Sequence, residues 1–240
     1  MQISTAVALV TGANRGIGRC LVERLLDGGA ARIYAGARTR AGVESLSALD
    51  PRVTGLVLDV TSGEQVSEAA VRATDVTLLI NNAGVLDPGH FLEADRIQIE
   101  QAFATNFYGS LAMSTAFAPV ITANGGGTVV NVLTITALAT MPSRSAYNAS
   151  KAAAWSMTQS LRATLADKRI RVVGVFPGPV DTEMLAGIPI PKAAPADVAA
   201  AVVAGIAAGA EDIYPDPAAR GVYEQWKQDH KAIERQFAAL

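Results

Sequence analysis

The sequence holds a single cysteine, Cys20, among 240 residues. One thiol cannot close an intramolecular disulfide, so stability must come from a core, and Cys20 reads as a small core residue of a helix. Histidine is also scarce: His90 and His230 stand far apart with no cysteine or carboxylate cluster beside them, which leaves a metal site without support. Neither sign of charge dominates, and the formal net charge is -2. A nucleic-acid surface would need a basic excess that is missing. The longest small-apolar stretch, residues 198–210, is too short and too rich in alanine to span a bilayer. The first residues lack a basic region followed by an apolar block, so no secretory leader is expected and the cytoplasm is the expected compartment. Linker composition, low-complexity tracts and internal repeats are absent.

What the chain does contain is alternation. Apolar runs at 6–11, 32–36, 53–58, 76–80, 127–133 and 170–176, with a short one at 212–214, read as strands buried on both faces. Between them, amphipathic patterns at 16–26, 42–49, 63–72, 97–118, 146–166 and 195–208 read as helices. Strictly alternating elements imply one α/β domain over residues 1–240, a doubly wound parallel sheet of about seven strands with helices on both faces. The more charged segment 216–240 reads as a C-terminal helix packed on the domain or on a partner subunit.

Two motifs then carry chemistry. The first strand runs into Thr11-Gly12-Ala13-Asn14-Arg15-Gly16-Ile17-Gly18, and a helix follows. Glycine lets a phosphate approach the backbone, and a helix N-terminus offers free N–H donors and a positive dipole end. The second motif is Tyr147 and Lys151, four residues apart on one helix face. A phenol has an unperturbed pKa of about 10, and a cation beside it favours the phenolate. Either motif alone would suit a tight turn or an exposed helix face.

Together they resemble the short-chain dehydrogenase/reductase family, which pairs T-G-x-x-x-G-x-G with Y-x-x-x-K. Further markers follow in order: Asp59-Val60, Asn81-Asn82-Ala83-Gly84, Asn106 and Pro177-Gly178-Pro179-Val180-Asp181-Thr182. The resemblance covers nearly the whole chain, with least force after about residue 190. It implies a Rossmann-type fold, and a nicotinamide cofactor held by Gly12, Asn14, Arg15, Gly16, Ile17, Gly18, Asp59, Val60, Asn82, Ala83, Gly84, Val180 and Thr182. It also implies four chemical roles. Tyr147 would be the proton donor and acceptor. Lys151 would lower the Tyr147 pKa and bind the nicotinamide ribose. Asn106 would hold a water linking Lys151 to solvent. Thr134, thirteen residues before Tyr147, stands where the family normally has the serine that polarises the carbonyl. Threonine keeps the hydroxyl and adds a methyl. Thr136 is the less favoured substitute.

Cofactor preference is read at Ala37-Arg38. An Asp or Glu about 20 residues past the glycine loop would hold the ribose hydroxyls of NAD. Here Ala37 takes that place and Arg38 follows, which suits the 2′-phosphate of NADP(H). The expected substrate wall is Leu138, Met141, Pro142, Pro179, Met184, Leu185 and Ile188, mostly apolar residues with little material for a lid. The expectation is therefore an NADP(H)-dependent enzyme interconverting an apolar ketone or aldehyde and its alcohol, working as a homodimer or homotetramer. The rival is a non-catalytic NADP-binding sensor or scaffold of the same fold.

Overall fold

A computed structural model describes residues 1–86 and 89–240. Seven parallel strands form one sheet: β1 (Val7–Val10), β2 (Arg32–Ala37), β3 (Val53–Val57), β4 (Leu78–Asn81), β5 (Gly127–Val132), β6 (Ile170–Val175) and β7 (Asp212–Ile213), in the order β3-β2-β1-β4-β5-β6-β7. Successive strand residues point to opposite faces, and the apolar runs serve both. Ala8, Val10, Leu78, Ile80 and Val130 join one core, while Leu9, Leu79, Val129 and Val172 join the other. Fully burying one such Val, Leu or Ile stabilises the fold by roughly 1.5–3 kcal/mol.

Helices α1 (Gly16–Asp27), α2 (Arg40–Ser47) and α7 (Pro195–Ala208) contribute Leu21, Val22, Leu25, Leu46, Val198, Val202 and Ile206 to the first core. Helices α3 (Gly63–Arg72), α5 (Ser110–Ala123) and α6 (Ser145–Leu165) cover the second through Val66, Met113, Phe117, Ile121 and Leu165. Side-chain caps fix several helix starts: Thr39 accepts from Gly42 N at 3.2 Å, and Ser62 from Gln65 N at 3.3 Å. Among the described residues, no helix is long and apolar enough to cross a membrane.

Two helical expectations are corrected. The continuous helix over 97–118 is instead α4 (Arg96–Phe103), a π-helical turn (Ala104–Gly109) and α5. The wider turn turns the Asn106 side chain inward, and Gly109 sits so tightly that a Cβ would lie 2.5 Å from Val60 Cγ2. The C-terminal segment is two helices, α8 (Pro217–Gln228) and α9 (His230–Ala238). The break falls at Asp229, whose extended backbone ends α8 while its side chain caps Ala232 N at 3.0 Å.

The chain leaves β1 toward β2 and returns to place β4 on the other side of β1. This is the switch point, where the loops at the carboxyl ends of β1 and β4 part and open a crevice.

Candidate active site

The glycine loop sits at that crevice. Gly12 and Gly16 have φ of +61° and +53°, a region that favours glycine. A Cβ on Gly12 would lie 2.9 Å from Ala83 Cα, and one on Gly18 only 2.3 Å from Gly12 O. The loop is thus pressed against the end of β4. Thr11 and Asn82 hold it there: Thr11 Oγ1 accepts from the Asn82 and Ala83 backbone N–H groups, both at 3.0 Å, and Asn82 Nδ2 donates to Thr11 O and Gly12 O at 3.0 and 3.1 Å. The Asn82 side chain is a clamp on the loop. Arg15, expected to help hold the cofactor, is paired with Glu183 and lines the cleft with it.

Tyr147 and Lys151 stand in the first two turns of α6. Lys151 is 5% exposed, and its Nζ donates to Val132 O at 2.7 Å and lies 6.0 Å from the Tyr147 ring centre. The Asn106 carboxamide is fully engaged: Oδ1 accepts from Val85 N at 2.9 Å, while Nδ2 donates to Val85 O at 3.0 Å and to Ser150 Oγ at 2.9 Å. A Cβ on Gly84 would lie 3.2 Å from Asn106 Oδ1 and 3.5 Å from Lys151 Nζ. The Gly84 backbone therefore passes close to both polar atoms, with little space for a side chain. Thr134, buried at the end of β5, places its Oγ1 3.2 Å from Thr136 Oγ1 and accepts from Thr136 N at 3.3 Å.

Electrostatics differ in one respect from the sequence-based expectation. Burial pushes the Tyr147 phenol above its usual value; hydrogen bonding by Thr134 and the Arg144 charge pull against it without prevailing. Lys151, tied to Val132, does not bring the phenol down. The lysine is itself lowered to about 8, because its charged form is desolvated. Asp59 is held below the ordinary carboxylate range: its burial acts upward but is outweighed by bonds from Thr61 N and Oγ1, at 2.9 and 2.7 Å, and by the Arg38 charge.

Thr134, Tyr147, Lys151, Gly84 and Asp59 open on one cleft of about 800 Å³, which runs from Gly12 and Arg38 to an apolar end; Asn106 and Gly18, both expected at the site, lie behind its lining. Residues 6–192 match the family model for short chain dehydrogenase. The chain belongs to the short-chain dehydrogenases. A short chain dehydrogenase from Burkholderia cenocepacia J2315, solved in complex with NADP, is 43% identical and superposes with a TM-score of 0.93, covering 99% of each chain. One from Burkholderia phymatum, solved in complex with NAD, is 25% identical with a TM-score of 0.86 and covers 98% of this chain and 96% of its own. The 1-deoxy-11-beta-hydroxypentalenate dehydrogenase of Streptomyces exfoliatus is 34% identical over 218 residues, 86% of this chain and 79% of that protein. As an oxidoreductase of this family the chain acts on hydroxyl or carbonyl groups.

In this short-chain dehydrogenase the cleft suits a dinucleotide. The glycine loop presents bare backbone, α1 starts beside it, and Thr182 closes over Gly16, where a Cβ would lie 3.1 Å from the threonine methyl. Asn14, Ile17, Val60 and Val180 line the same space. Of the expected substrate wall, Met141, Pro179, Met184, Leu185 and Ile188 face the cleft. Leu138 does not: it follows the 3-10 turn Ile135–Ala137, which turns it into the cluster of Leu133, Met157 and Phe176. Pro142 also lies off the cleft lining. Sequence reasoning missed Ser150, which accepts from Asn106 and donates to Tyr147 O at 2.7 Å, and it missed Val222 and Phe237, which close the apolar end. The last two carried a signal only as apolar positions of amphipathic helices.

Proposed function

We propose that this dehydrogenase is an NADP(H)-dependent carbonyl reductase or alcohol dehydrogenase for an apolar ketone or aldehyde. The observation that carries this reading is the convergence of Tyr147, Lys151 and Thr134 on one cleft that continues to the glycine loop. When bound, the nicotinamide supplies or accepts the hydride. The chain's own residues do the rest. Tyr147, kept protonated near neutral pH by burial, gives its phenolic proton to the carbonyl oxygen during reduction and takes it back during oxidation. Thr134 exchanges its contact with Thr136 for a donated hydrogen bond to that oxygen. Lys151 holds a positive charge near Tyr147 and bonds the ribose. Asn106, close to Lys151 across Gly84, would hold a water that restores the proton.

Three observations support NADP(H). Ala37 leaves no carboxylate to repel a 2′-phosphate, Arg38 lines the cleft, and the relative at 43% identity holds NADP. The relative at 25% identity holds NAD, so the pair of Arg38 and Ala37 is what must be tested. Tight NADPH binding with weak NADH binding at the same salt is the expected result; equal affinities would overturn the preference. NADPH oxidation with a panel of ketones and aldehydes tests the activity. Should cofactor bind while every member of the panel fails, the reading as a non-catalytic NADP sensor replaces it.

The one sheet that runs through the chain supports a single cofactor-binding and catalytic domain. We read the protein as a cytoplasmic homodimer or homotetramer. Ile97 and Tyr108, 60% and 61% exposed, supply apolar surface for such pairing, and light scattering at several concentrations measures it.

A further inference from the structure

The loop from β6 to α7 carries little regular structure. Between residues 183 and 194 it forms a single 3-10 turn (Glu183–Leu185), which covers one side of the cleft's apolar end with Met184, Leu185 and Ile188. Further lining comes from the far end of the sequence. There α8 brings Val222 and α9 brings Phe237 to the lining. Phe237 is only 4% exposed and packs in a cluster with Ala139, Met141 and Val222. Ala139 and Met141 belong to the loop after Thr134, so α9 leans on the segment that carries the carbonyl-polarising hydroxyl.

Two devices fix α8 in place. Asp216 is buried, and its Oδ2 accepts from Gly178 N at 2.8 Å while Oδ1 accepts from Ala219 N at 2.9 Å. The Gly178 turn leads to Pro179 and Val180 on the cofactor side of the cleft, so one carboxylate ties that turn to α8. The second device is a stack of rings: Phe176 on Tyr214 at 5.1 Å, and Tyr214 on Tyr223 of α8 at 3.9 Å. The wall is therefore built before any substrate arrives. The side chains it lends to the lining, Ala218, Val222, Phe237 and Leu240, are apolar. Lys227, Lys231 and Arg235 pair with Glu224, Glu234 and Asp229, and Arg220 donates to Pro215 O at 3.2 Å.

We propose that the α8–α9 pair is the specificity-determining wall of the cleft, and that Val222 and Phe237 set how bulky an apolar substituent the carbonyl carbon can carry. This rests on the carbonyl-reductase reading above. Unfilled or overfilled space in an apolar pocket discriminates by roughly 10- to 200-fold for each methylene.

The experiment uses full-length protein, methyl ketones with a second substituent running from methyl to branched and aryl groups, and the variants Phe237→Leu and Val222→Phe. Two readouts are taken: kcat/KM by NADPH oxidation, and binding of the same ketones to NADP⁺-loaded protein by ligand-observed NMR, which needs no turnover. Circular dichroism establishes that each variant is folded. Phe237→Leu should raise the bulky-to-small ratio by at least about 10-fold, and Val222→Phe should lower it by a similar factor. Ratios that stay within about twofold of wild type in both folded variants would overturn the wall's role. If wild type reduces no ketone, the functional reading fails by itself, and the NMR ratios still decide the wall: an unchanged ratio rejects it and a shifted one upholds it.

Discussion

Lys151 makes a claim about stability as well as catalysis. The residue is 5% exposed, its ammonium donates to Val132 O, and desolvation lowers its pKa from 10.5 to about 8. The unfolded chain therefore binds this proton more tightly than the folded one. Between pH 8 and 10.5 the unfolded state holds the proton and the folded state does not, so stability contributed by this group rises with pH across that window. At about 1.4 kcal/mol per pH unit the full rise is about 3 kcal/mol. Below pH 8 the folded protein carries the whole cost of the buried charge. Lys151→Met removes that cost and also removes the bond to Val132 O, a loss of about 1 kcal/mol. The cofactor-free variant should thus be inactive yet about 2 kcal/mol more stable than wild type at pH 7, with the advantage disappearing as pH approaches 10. Urea melts of both proteins at intervals from pH 6 to 10 measure the difference, which cancels the other titrating groups. Tyr147, raised above 10, works in the opposite direction only above the unfolded tyrosine pKa, where the unfolded phenol ionises first. A difference between the two proteins that stays flat within about 0.5 kcal/mol over this range would refute the picture of a desolvated ammonium.

Other substitutions address the chemistry. Tyr147→Phe keeps the ring and should lower turnover at least about 100-fold with NADPH affinity little changed, as stopped-flow and fluorescence titration would show; half of wild-type activity remaining would remove Tyr147 from the reaction. Arg38→Asp should weaken NADPH binding by about 2–4 kcal/mol and leave NADH far less affected, measured by calorimetry at fixed salt. Thr134→Val should cost about 10²-fold in turnover while Thr134→Ser is tolerated; an active Val variant would shift the donor role to Thr136 or a backbone group. Gly84→Ala sets a methyl against Asn106 and Lys151, so proton exchange should slow, seen as a larger solvent isotope effect on kcat at unchanged cofactor affinity.

What the sequence made legible was local. A run such as Val7–Val10, apolar at every position, has few uses other than a strand covered on both faces, and the observed strand ends differ from the expected ones by a residue or two. The glycine loop and the Tyr147–Lys151 pair are spacing motifs, and spacing survives without three-dimensional knowledge. Direction was harder to read. Asn106 was placed near Lys151, but nothing in its neighbours says that a π turn would aim its carboxamide at Val85. Leu138 is expected in the substrate wall, but after the 3-10 turn Ile135–Ala137 it packs with Leu133, Met157 and Phe176. The contribution of α8 and α9 was least accessible. Their apolar stripes announce that they pack on something, and only the fold shows that Val222 and Phe237, more than 70 residues beyond Tyr147, close the cleft that begins at Gly12.

Four polar groups in and behind the cleft share a property that bears on how the site works. Thr134 is satisfied by Thr136, Lys151 by Val132, Asn106 by Val85 and Ser150, and Arg15 by Glu183. None is a dangling group kept ready at a cost of several kcal/mol. A substrate oxygen that engages Thr134 trades for its contact with Thr136, an exchange worth about 0.5–1.5 kcal/mol net. Affinity for substrate then has to come largely from the apolar end, where Met184, Leu185, Val222 and Phe237 offer surface with no polar partner to displace. The two ends of the cleft thereby divide the work. Apolar area holds the substrate, and the hydroxyl of Thr134 with the phenol of Tyr147 gains most when charge develops on the carbonyl oxygen, which is when a hydrogen bond strengthens. On this argument, changes at Val222 or Phe237 should appear mainly in KM and changes at Thr134 mainly in kcat, and a Thr134→Val enzyme that altered KM alone would contradict it.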